Sequence, residues 1–340
     1  MTQPTASQPT ASQPIVIFGY GATGRATAAA LLARGTKIRI AQRTRPADLP
    51  PQAEFVRCDV LDQNSVLAAA TGAAQIVFAV GFAYNAKTWR HAWPLAITNL
   101  VTACATTNAR AVFIDNLYMY GPQSTPLRED MPLTTHGAKP ATRAAITRIW
   151  QAAAAAGKIR FAALRAPDFY GPGVTLSHLG PTVFERLARG QSAIFLNAPD
   201  QPHDFAYVPD IARAAVTLLD APDDAFNQVW HVPCAPTRTA RDLITLGAAT
   251  LGAKPKIMSP PATLLPVLGL FSPFLREVAE MGFTWDRPYQ VNAQKFQTRF
   301  WADATPFETG IPATARSFLP AETLLQCNEL PMLPNGGQPS

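Results

Sequence analysis

The sequence has no long apolar run, no block of like charges and no closely spaced cysteines. No segment reaches the roughly 18 consecutive apolar residues that a membrane-spanning helix needs. The most apolar run, residues 264–271, is short and is interrupted by proline. Of the 340 residues only 15% are charged, and the net charge of +6 is spread along the chain. We therefore expect a soluble, cytoplasmic protein without a membrane segment or a nucleic-acid-binding arm.

The cysteine content argues against a disulfide scaffold and against a metal centre. Cys58, Cys104, Cys234 and Cys327 are far apart in the chain and form no Cys-x-x-Cys pair. Such spacing is typical of unpaired thiols in a reducing compartment. We expect no metal site.

The two ends of the chain are predicted to be tails. Residues 1–13 repeat the unit TASQP and lack the cationic start and the apolar stretch of a signal peptide. Residues 328–340 form the second predicted tail. Apolar residues make up 48% of the chain, which is enough to build a core between these tails.

Short apolar runs alternate with helical stretches between residues 14 and 167. Repeated strand–helix units of this length predict an α/β fold in which a doubly wound parallel sheet has helices on both faces. The predicted strands are 14–20, 37–43, 54–60, 74–80, 109–115 and 159–167, and the predicted helices are 24–35, 61–72, 94–108 and 140–157.

One further helix and strand, at 209–220 and 227–232, are expected to complete this domain. We therefore assign residues 14–167 and about 204–235 to it. The intervening residues 168–203 are rich in proline and glycine, and residues 236–327 are mostly helical in pattern. These two segments are predicted to form a smaller, mostly helical substrate lobe.

Residues 19–24, GYGATG, carry the clearest functional pattern. Gly19, Gly21 and Gly24 follow a predicted strand and open a predicted helix, which is the context that gives Gly-x-Gly-x-x-Gly its meaning. The glycines allow a tight turn, close approach of a pyrophosphate and close helix packing. Ala22 and Thr23 would add free amides at the helix N terminus. The pattern predicts a Rossmann-type dinucleotide site, with a plain glycine-rich turn as the alternative.

The end of the second strand indicates which dinucleotide is bound. An acidic residue there would accept from a ribose 2′-hydroxyl, but the sequence has Gln42, Arg43 and Arg45. Arg43 lies 19 residues after Gly24, where a guanidinium could hold a 2′-phosphate through two hydrogen bonds. This favours NADP, with NAD possible. A solvated arginine pair is the alternative.

Other residues are expected to line the cofactor. Asp59, followed by Val60, could accept from the adenine amino group, although a turn aspartate fits its position nearly as well. Small residues at the end of the fourth strand, Ala79, Val80 and Gly81, would let the dinucleotide lie close to the backbone.

Together these elements resemble the extended epimerase/dehydratase branch of the short-chain dehydrogenase/reductase superfamily, over roughly 15–235. IDNLYMYGP (114–122) resembles the family element Ser-Ser-x-x-x-Tyr-Gly. RAPDFYGPG (165–173) resembles the turn Arg-Pro-x-x-x-Tyr-Gly-Pro, and HDFAYVPDIARA (203–214) the segment Arg-Asp-Phe-x-x-Val-x-Asp. The resemblance implies the fold and a nicotinamide cofactor, and it says less about the substrate.

The sequence departs from the family at its catalytic residues. The family carries Tyr-x-x-x-Lys, but none of the seven tyrosines here has a lysine four residues later. In THGAKPATRAA (135–145) either Thr135 and Lys139 or Lys139 and Arg143 occupy these two positions, and the distance from Tyr120 favours the second pair. Lys139 could act as acid/base if burial and the neighbouring Arg143 cation disfavoured its charged form.

Several polar residues are further candidates for the site. Asn116 matches the family serine by its distance from Tyr120, and its amide can hydrogen-bond a carbonyl but cannot relay a proton. Tyr118 is a candidate for a displaced catalytic phenol, although simple packing is the stronger alternative. Strand-end loops and the resemblance place four more residues at the substrate cleft: Tyr84, Asp168, Tyr170 and His203.

The leading function is an NAD(P)-dependent oxidoreductase or epimerase/dehydratase-like enzyme that acts on a small carbonyl or hydroxyl compound. The basic balance of charge slightly favours an anionic substrate. A regulator that binds NADP(H) without turnover, and acts on a partner through 261–283, is the alternative, and an empty scaffold is a third reading. The resemblance also implies a possible homodimer through helices 94–108 and 140–157.

Overall fold

Seven parallel strands form the central sheet. The computed structural model describes residues 13–259, 270 and 272–320. The strands in chain order are β1 Ile15–Phe18, β2 Ile38–Gln42, β3 Glu54–Arg57, β4 Gln75–Phe78, β5 Arg110–Asp115, β6 Arg160–Arg165, β7 Asp168–Tyr170, β8 Ala193–Ile194, β9 Pro202–His203, β10 Phe205–Tyr207, β11 Gln228–His231, β12 Arg238–Thr239 and β13 Ile257–Met258. The sheet order is β11-β6-β5-β4-β1-β2-β3. This confirms the Rossmann-type doubly wound fold, whose strand order reverses between β1 and β4 and opens a crevice at their carboxyl ends.

Helices cover both faces of this sheet. They are α1 Ala22–Leu32, α2 Gln63–Ala70, α3 Ala86–Thr107, α4 Ala138–Ala155, α5 Arg186–Ala188, α6 Val208–Asp220, α7 Ala240–Thr250, α8 Pro273–Glu280, α9 Gln294–Arg299 and α10 Phe307–Arg316. Most helices and strands of the sheet lie close to the ranges that the sequence predicts, because neighbouring residues in the chain set where each element begins and ends. The Asp62 carboxylate caps α2 by accepting from Ser65 N at 3.0 Å, and Gly35 has a left-handed φ of 71° just after α1.

The predicted start of the third helix at residue 94 is wrong. Helix α3 begins eight residues earlier, where the Asn85 side chain accepts from Thr88 N at 3.1 Å. Pro94 lies inside the helix and removes one backbone hydrogen bond. Burial of Trp89 and Trp93 on the inner face offsets that cost, so tertiary packing outweighs the local signal.

Alternating strand residues divide the core between the two faces of the sheet. Ile17, Val77 and Val112 enter a cluster with α1 and α6. Their successors Phe18, Phe78 and Phe113 enter a second cluster with α2, α3 and α4. This period of two is the geometry of a strand that is buried on both faces.

A third apolar cluster belongs to the segments that were predicted as the smaller lobe. It includes Phe184, Phe195, Trp285 and Ile311, and it packs α7 and α10 together. The predicted tails and the apolar run 264–271 lie almost entirely outside the described residues.

No described helix combines the length and the apolar character needed to cross a membrane. Among the described residues, Cys58, Cys104 and Cys234 are free thiols. Cys327 lies outside the described part of the chain.

A buried polar chain anchors the turn that follows β5. The Tyr120 hydroxyl accepts from Arg165 Nη1 at 2.6 Å and lies 3.0 Å from His231 Nε2. Burial, together with the positive charge of Arg165, lowers the pKa of His231 to about 3. Because Arg165 lies at the end of β6 and His231 at the end of β11, this chain holds the 118–120 turn in place over the sheet.

We expect His231 to make the fold sensitive to acid. Its folded pKa is below the unfolded value of about 6.5, so the unfolded chain binds the extra proton as pH falls from about 6.5 towards 3. This should remove about 1.4 kcal/mol of stability per pH unit. Urea unfolding of His231→Gln should show a correspondingly shallower loss between pH 6 and 4.5. The exposed control His136→Gln should keep the wild-type slope, and equal slopes in all three proteins would contradict the assignment.

Candidate active site

The three glycines of the turn between β1 and α1 differ in the space that surrounds them. A Cβ atom on Gly24 would lie 2.1 Å from the Gly19 carbonyl oxygen, and one on Gly19 would lie 2.7 Å from the Ala79 carbonyl oxygen. A Cβ atom on Gly21 would meet no atom within 4 Å. The outer glycines therefore serve packing inside the protein, and the middle one leaves the backbone open on the outside.

The N terminus of α1 is suited to an anion. Gly21 is its N-cap and supplies no side-chain hydrogen bond, and the first turn contains no acidic residue. Ala22 and Thr23 are half-buried within this turn. Unsatisfied amides at the positive end of a helix bind phosphate groups. The residues present therefore fit the pyrophosphate of a dinucleotide.

Beyond the turn, the end of β2 presents arginine rather than a carboxylate. Gln42 is occupied, because its Oε1 accepts from Tyr20 N at 3.0 Å. Arg25 pairs with Asp48 and covers the Tyr20 ring. Arg43 is exposed directly after β2.

The other expected cofactor residues lie along the same edge of the sheet. The Asp59 carboxylate accepts from Leu61 N at 3.0 Å, so it shapes its own turn, and Val60 behind it is buried. The segment Ala79–Gly81 follows β4, with Ala79 packed against the glycine turn. The structure therefore brings together at this edge the residues that the sequence predicted to line the cofactor.

Lys139, at the start of α4, is fully buried in an acidic setting. Its Nζ donates to Glu277 Oε2 at 2.5 Å and to the Glu277 carbonyl oxygen at 3.0 Å, and it also donates to Glu280 Oε2. Two carboxylates stabilise a charged ammonium. This is the opposite of the environment on which the expected acid/base role of Lys139 depended.

The same two carboxylates cap two helices. Glu277 Oε2 accepts from Ala86 N at the start of α3 at 3.0 Å. Glu280 Oε1 accepts from Ala138 N and from Lys139 N at the start of α4. Burial opposes ionisation of Glu280, but its bonds with Lys139 outweigh this and lower its pKa. Helix α8 is thereby fastened to the amino ends of α3 and α4.

Arg143, one turn after Lys139, is also engaged. Its Nη1 donates to Asp115 Oδ1 at 3.0 Å, and its guanidinium lies 3.7 Å from the centre of the Trp93 ring. Arg165 Nε approaches the other oxygen of Asp115 at 3.5 Å. Any contact of Arg143 with a cofactor or substrate would therefore have to coexist with the buried pair to Asp115.

Asn116 and Tyr118 lie at the carboxyl end of β5. Asn116 Oδ1 accepts from Tyr118 N at 3.1 Å, which leaves the amide NH₂ group to donate elsewhere. The phenol of Tyr118 adjoins that of Tyr84. Burial raises the pKa of both phenols above their ordinary values. Both are therefore proton donors at neutral pH.

Asp168 and His203 form a close pair beside these phenols. Asp168 Oδ2 lies 2.7 Å from His203 Nε2, and the His203 ring stacks on Trp285 with centres 3.7 Å apart. Burial opposes ionisation of Asp168, but the hydrogen bond to His203 and the nearby His178 lower its pKa overall. Asp168 is thus a carboxylate at neutral pH, and its field reaches Tyr84 and Tyr118.

Tyr170 was expected at the substrate cleft, but the structure places it in the core of the smaller lobe. It is fully buried, and its ring packs against Tyr207 and Phe307. The contacts of Asp168, two residues earlier on β7, are instead with His203.

Four important residues were absent from the sequence prediction. Two of them, Glu277 and Glu280, are more than 130 residues from Lys139 in the chain. A third, Trp285, is more than 80 residues from His203. No local motif predicts these three residues. Asp115 directly precedes Asn116 at a strand end, which was a signal that could have found it.

A model of the NAD dependent epimerase/dehydratase family matches residues 15–232. No curated protein matches the sequence significantly. Among solved structures, the enzyme WbmH of Bordetella bronchiseptica in complex with NAD+ is similar, with a TM-score of 0.71 and 18% identity over 90% of this chain and 98% of that one.

Two further structures are similar to the same extent. The UDP-glucose 4-epimerase of Thermus thermophilus, in complex with NAD, has a TM-score of 0.70 and 19% identity over 90% of this chain and 98% of its own. The dTDP-glucose 4,6-dehydratase of Bacillus anthracis, also with NAD, has a TM-score of 0.73 and 15% identity over 90% and 96%. Likeness at this identity establishes the shared fold.

Removing the Lys139 ammonium should destabilise the protein. Lys139→Met leaves two carboxylates facing each other in a half-buried position, and we expect a loss of about 3 kcal/mol at pH 7. The deficit should shrink below about pH 4.5, where carboxyl groups become protonated. Urea unfolding across this pH range measures it. The exposed Lys158→Met is the matched control, and an equally small loss in both variants would refute the role of this ion pair.

Proposed function

Because the chain belongs to the NAD dependent epimerase/dehydratase family, we propose that it is a nicotinamide-dependent enzyme acting on a hydroxyl or carbonyl group of a small substrate. The observation that carries the proposal is the alignment of two features along one sheet edge. One is the open backbone at Gly21 on the amino end of α1. The other is the cluster of Tyr84, Tyr118 and Asp168 beyond β4, β5 and β6.

The dinucleotide would supply the hydride acceptor or donor, and the chain would hold it. The amides at Gly21, Ala22 and Thr23 would bind the pyrophosphate, and Ala79–Gly81 would border the dinucleotide. We further propose a preference for NADP, because exposed Arg43 can form two charge-assisted hydrogen bonds with a 2′-phosphate and no carboxylate at this strand end would repel it. The similar structures named above hold NAD, so NAD is the alternative.

Tyr118 is the proposed proton carrier. It is the phenol at the end of β5 and it adjoins a second phenol on Tyr84. Burial raises the pKa of Tyr118, and the Arg143 cation partly offsets this. The free amide group of Asn116 would donate to the substrate oxygen. Lys139 and Arg143 act as positioning residues, since their charges are already paired with Glu277, Glu280 and Asp115.

We also propose a homodimer through the outer faces of α3 and α4. These helices pack side by side. Their outer surface forms a shallow groove lined mainly by small residues, among them Pro94, Ala141 and Ala145. Small side chains allow two helix pairs to approach closely.

The cofactor preference can be measured directly. In fluorescence titrations, Arg43→Ala should weaken NADPH binding about 10- to 100-fold, the worth of a bidentate charge-assisted contact, and leave NADH binding unchanged. Arg45→Ala is the matched control, because Arg45 lies against Phe55, and it should have a smaller effect. A protein that binds neither nucleotide would overturn the proposed function. Tighter binding of NADH than of NADPH would overturn the preference only.

The proton carrier can be tested separately. With a carbonyl compound identified by cofactor oxidation, Tyr118→Phe should lower kcat by about 10²- to 10⁴-fold, the usual contribution of acid/base catalysis, while cofactor affinity stays the same. Tyr207→Phe removes a comparable half-buried hydroxyl that lies outside the proposed site, and it should leave kcat within about twofold. Full activity in Tyr118→Phe would move the role to another group, and Tyr84→Phe would be the next variant.

A further inference from the structure

The wall of the proposed substrate cleft carries more carboxylates than available cations. We define the cleft wall as Asp168, Lys139, His203 and the carboxylates of Glu277 and Glu280. Both glutamates lie within hydrogen-bonding distance of the single ammonium of Lys139, which leaves one negative charge in excess. Asp168 adds a second carboxylate, ionised at neutral pH because its pKa is lowered.

Two buried cations near this wall are already paired. The Lys139 ammonium is enclosed by carboxylates and has no exposed surface. Arg143 pairs with Asp115 and stacks on Trp93. Burial lowers the pKa of the neighbouring His178, which is therefore neutral at pH 7. An anionic substrate group at the wall would meet carboxylates and would have to displace a buried ion pair to gain either of these two cations.

Polar atoms at the wall instead suit an uncharged ligand. The Asp168 carboxylate accepts a hydrogen bond from His203 Nε2, so in the uncharged form of the ring Nδ1 is an acceptor. Within the described residues, His203 Nδ1 and the Tyr289 hydroxyl are buried and have no hydrogen-bond partner. His203 Nδ1 then needs a hydrogen-bond donor, and the Tyr289 hydroxyl can donate. A hydroxyl group of a ligand satisfies both requirements.

Flat apolar surfaces surround these polar atoms. The His203 ring lies between Trp285, at 3.7 Å, and Tyr289, at 5.1 Å between ring centres. Nearby, Tyr84 packs edge-on against Trp89. Aromatic walls bind flat ligands and attract cations to their faces.

We propose that this cleft takes a small uncharged or cationic hydroxyl or carbonyl compound and discriminates against anionic substrates, including carboxylates and nucleotide-diphosphate sugars. The proposal rests on the proposed function, since it takes this cleft as the substrate site. The substrate proposed here differs from the nucleotide sugars that the names of two similar structures specify. It also replaces the slight preference for an anionic substrate that the net charge suggested.

A matched ligand series tests the charge selection without turnover. The probes are benzaldehyde, 4-carboxybenzaldehyde and 4-(trimethylammonio)benzaldehyde, with UDP-glucose as the nucleotide sugar. Calorimetry is performed on the full chain, both with saturating NADPH and without it. We expect the carboxylate to bind at least about tenfold more weakly than the uncharged compound, which is the size of one unpaired charge contact near a protein surface. UDP-glucose should show no binding.

The variant Asp168→Asn tests whether the cleft wall causes the discrimination against the carboxylate probe. This change keeps the side-chain shape and a polar contact with His203 and removes one charge, so it should reduce the discrimination against the carboxylate at least about threefold. Asp303→Asn removes a charge that pairs with Arg213 at the surface and should leave the discrimination unchanged. An equal change in both variants would indicate an effect of net charge alone and would overturn the proposal.

Two results of the ligand series would also overturn it. One is binding of the carboxylate or of UDP-glucose at least as tight as that of benzaldehyde. The other is failure of the uncharged and cationic compounds to bind at all. Failure of NADPH to bind would contradict the proposed function instead, and the series without cofactor would still report the charge preference of the cleft.

Discussion

The buried ammonium of Lys139 is the contact on which the arrangement of the candidate site depends. It holds Glu277 and Glu280 on α8, a helix more than 130 residues later in the chain. The same carboxylates cap the amino ends of α3 and α4. A single ion-pair cluster therefore holds α8 against the amino ends of α3 and α4. The left-handed Gly137 makes this possible, because a Cβ atom there would lie 2.8 Å from Glu280 Oε1.

Lys139 and Arg143, which were predicted to occupy the positions of the family's catalytic pair, form ion pairs with carboxylates of this chain. Arg143 is bound to Asp115, which Arg165 approaches from the other side. Buried charges persist when they are paired, and removing one partner is far more costly than the net worth of the pair. The proposed proton transfer therefore falls to groups that are neutral at pH 7. The phenols of Tyr84 and Tyr118 are such groups at the sheet edge.

Family membership and substrate choice are decided by different parts of the molecule. The dinucleotide fold depends on close backbone packing around Gly19 and Gly24 and on alternating core residues such as Phe18 and Phe78. The proposed cleft depends on side chains from the later part of the chain. A chain that shares 15% to 19% of its residues with nucleotide-sugar enzymes can therefore keep their fold while its proposed cleft selects a different substrate.

The sequence alone determined the fold class, most helix and strand positions and the dinucleotide turn, because these arise from local signals. Glycine spacing, the Asp62 cap and apolar periodicity act within one or two turns of the chain. The start of α3 was misplaced because burial of Trp89 and Trp93 outweighed the local preference of Pro94. Only the tertiary structure decided which ion pairs the residues of the candidate site form. Whether Lys139 is a free base or half of an ion pair depends on carboxylates that are distant in sequence, and charge stabilisation is a property of proximity in space.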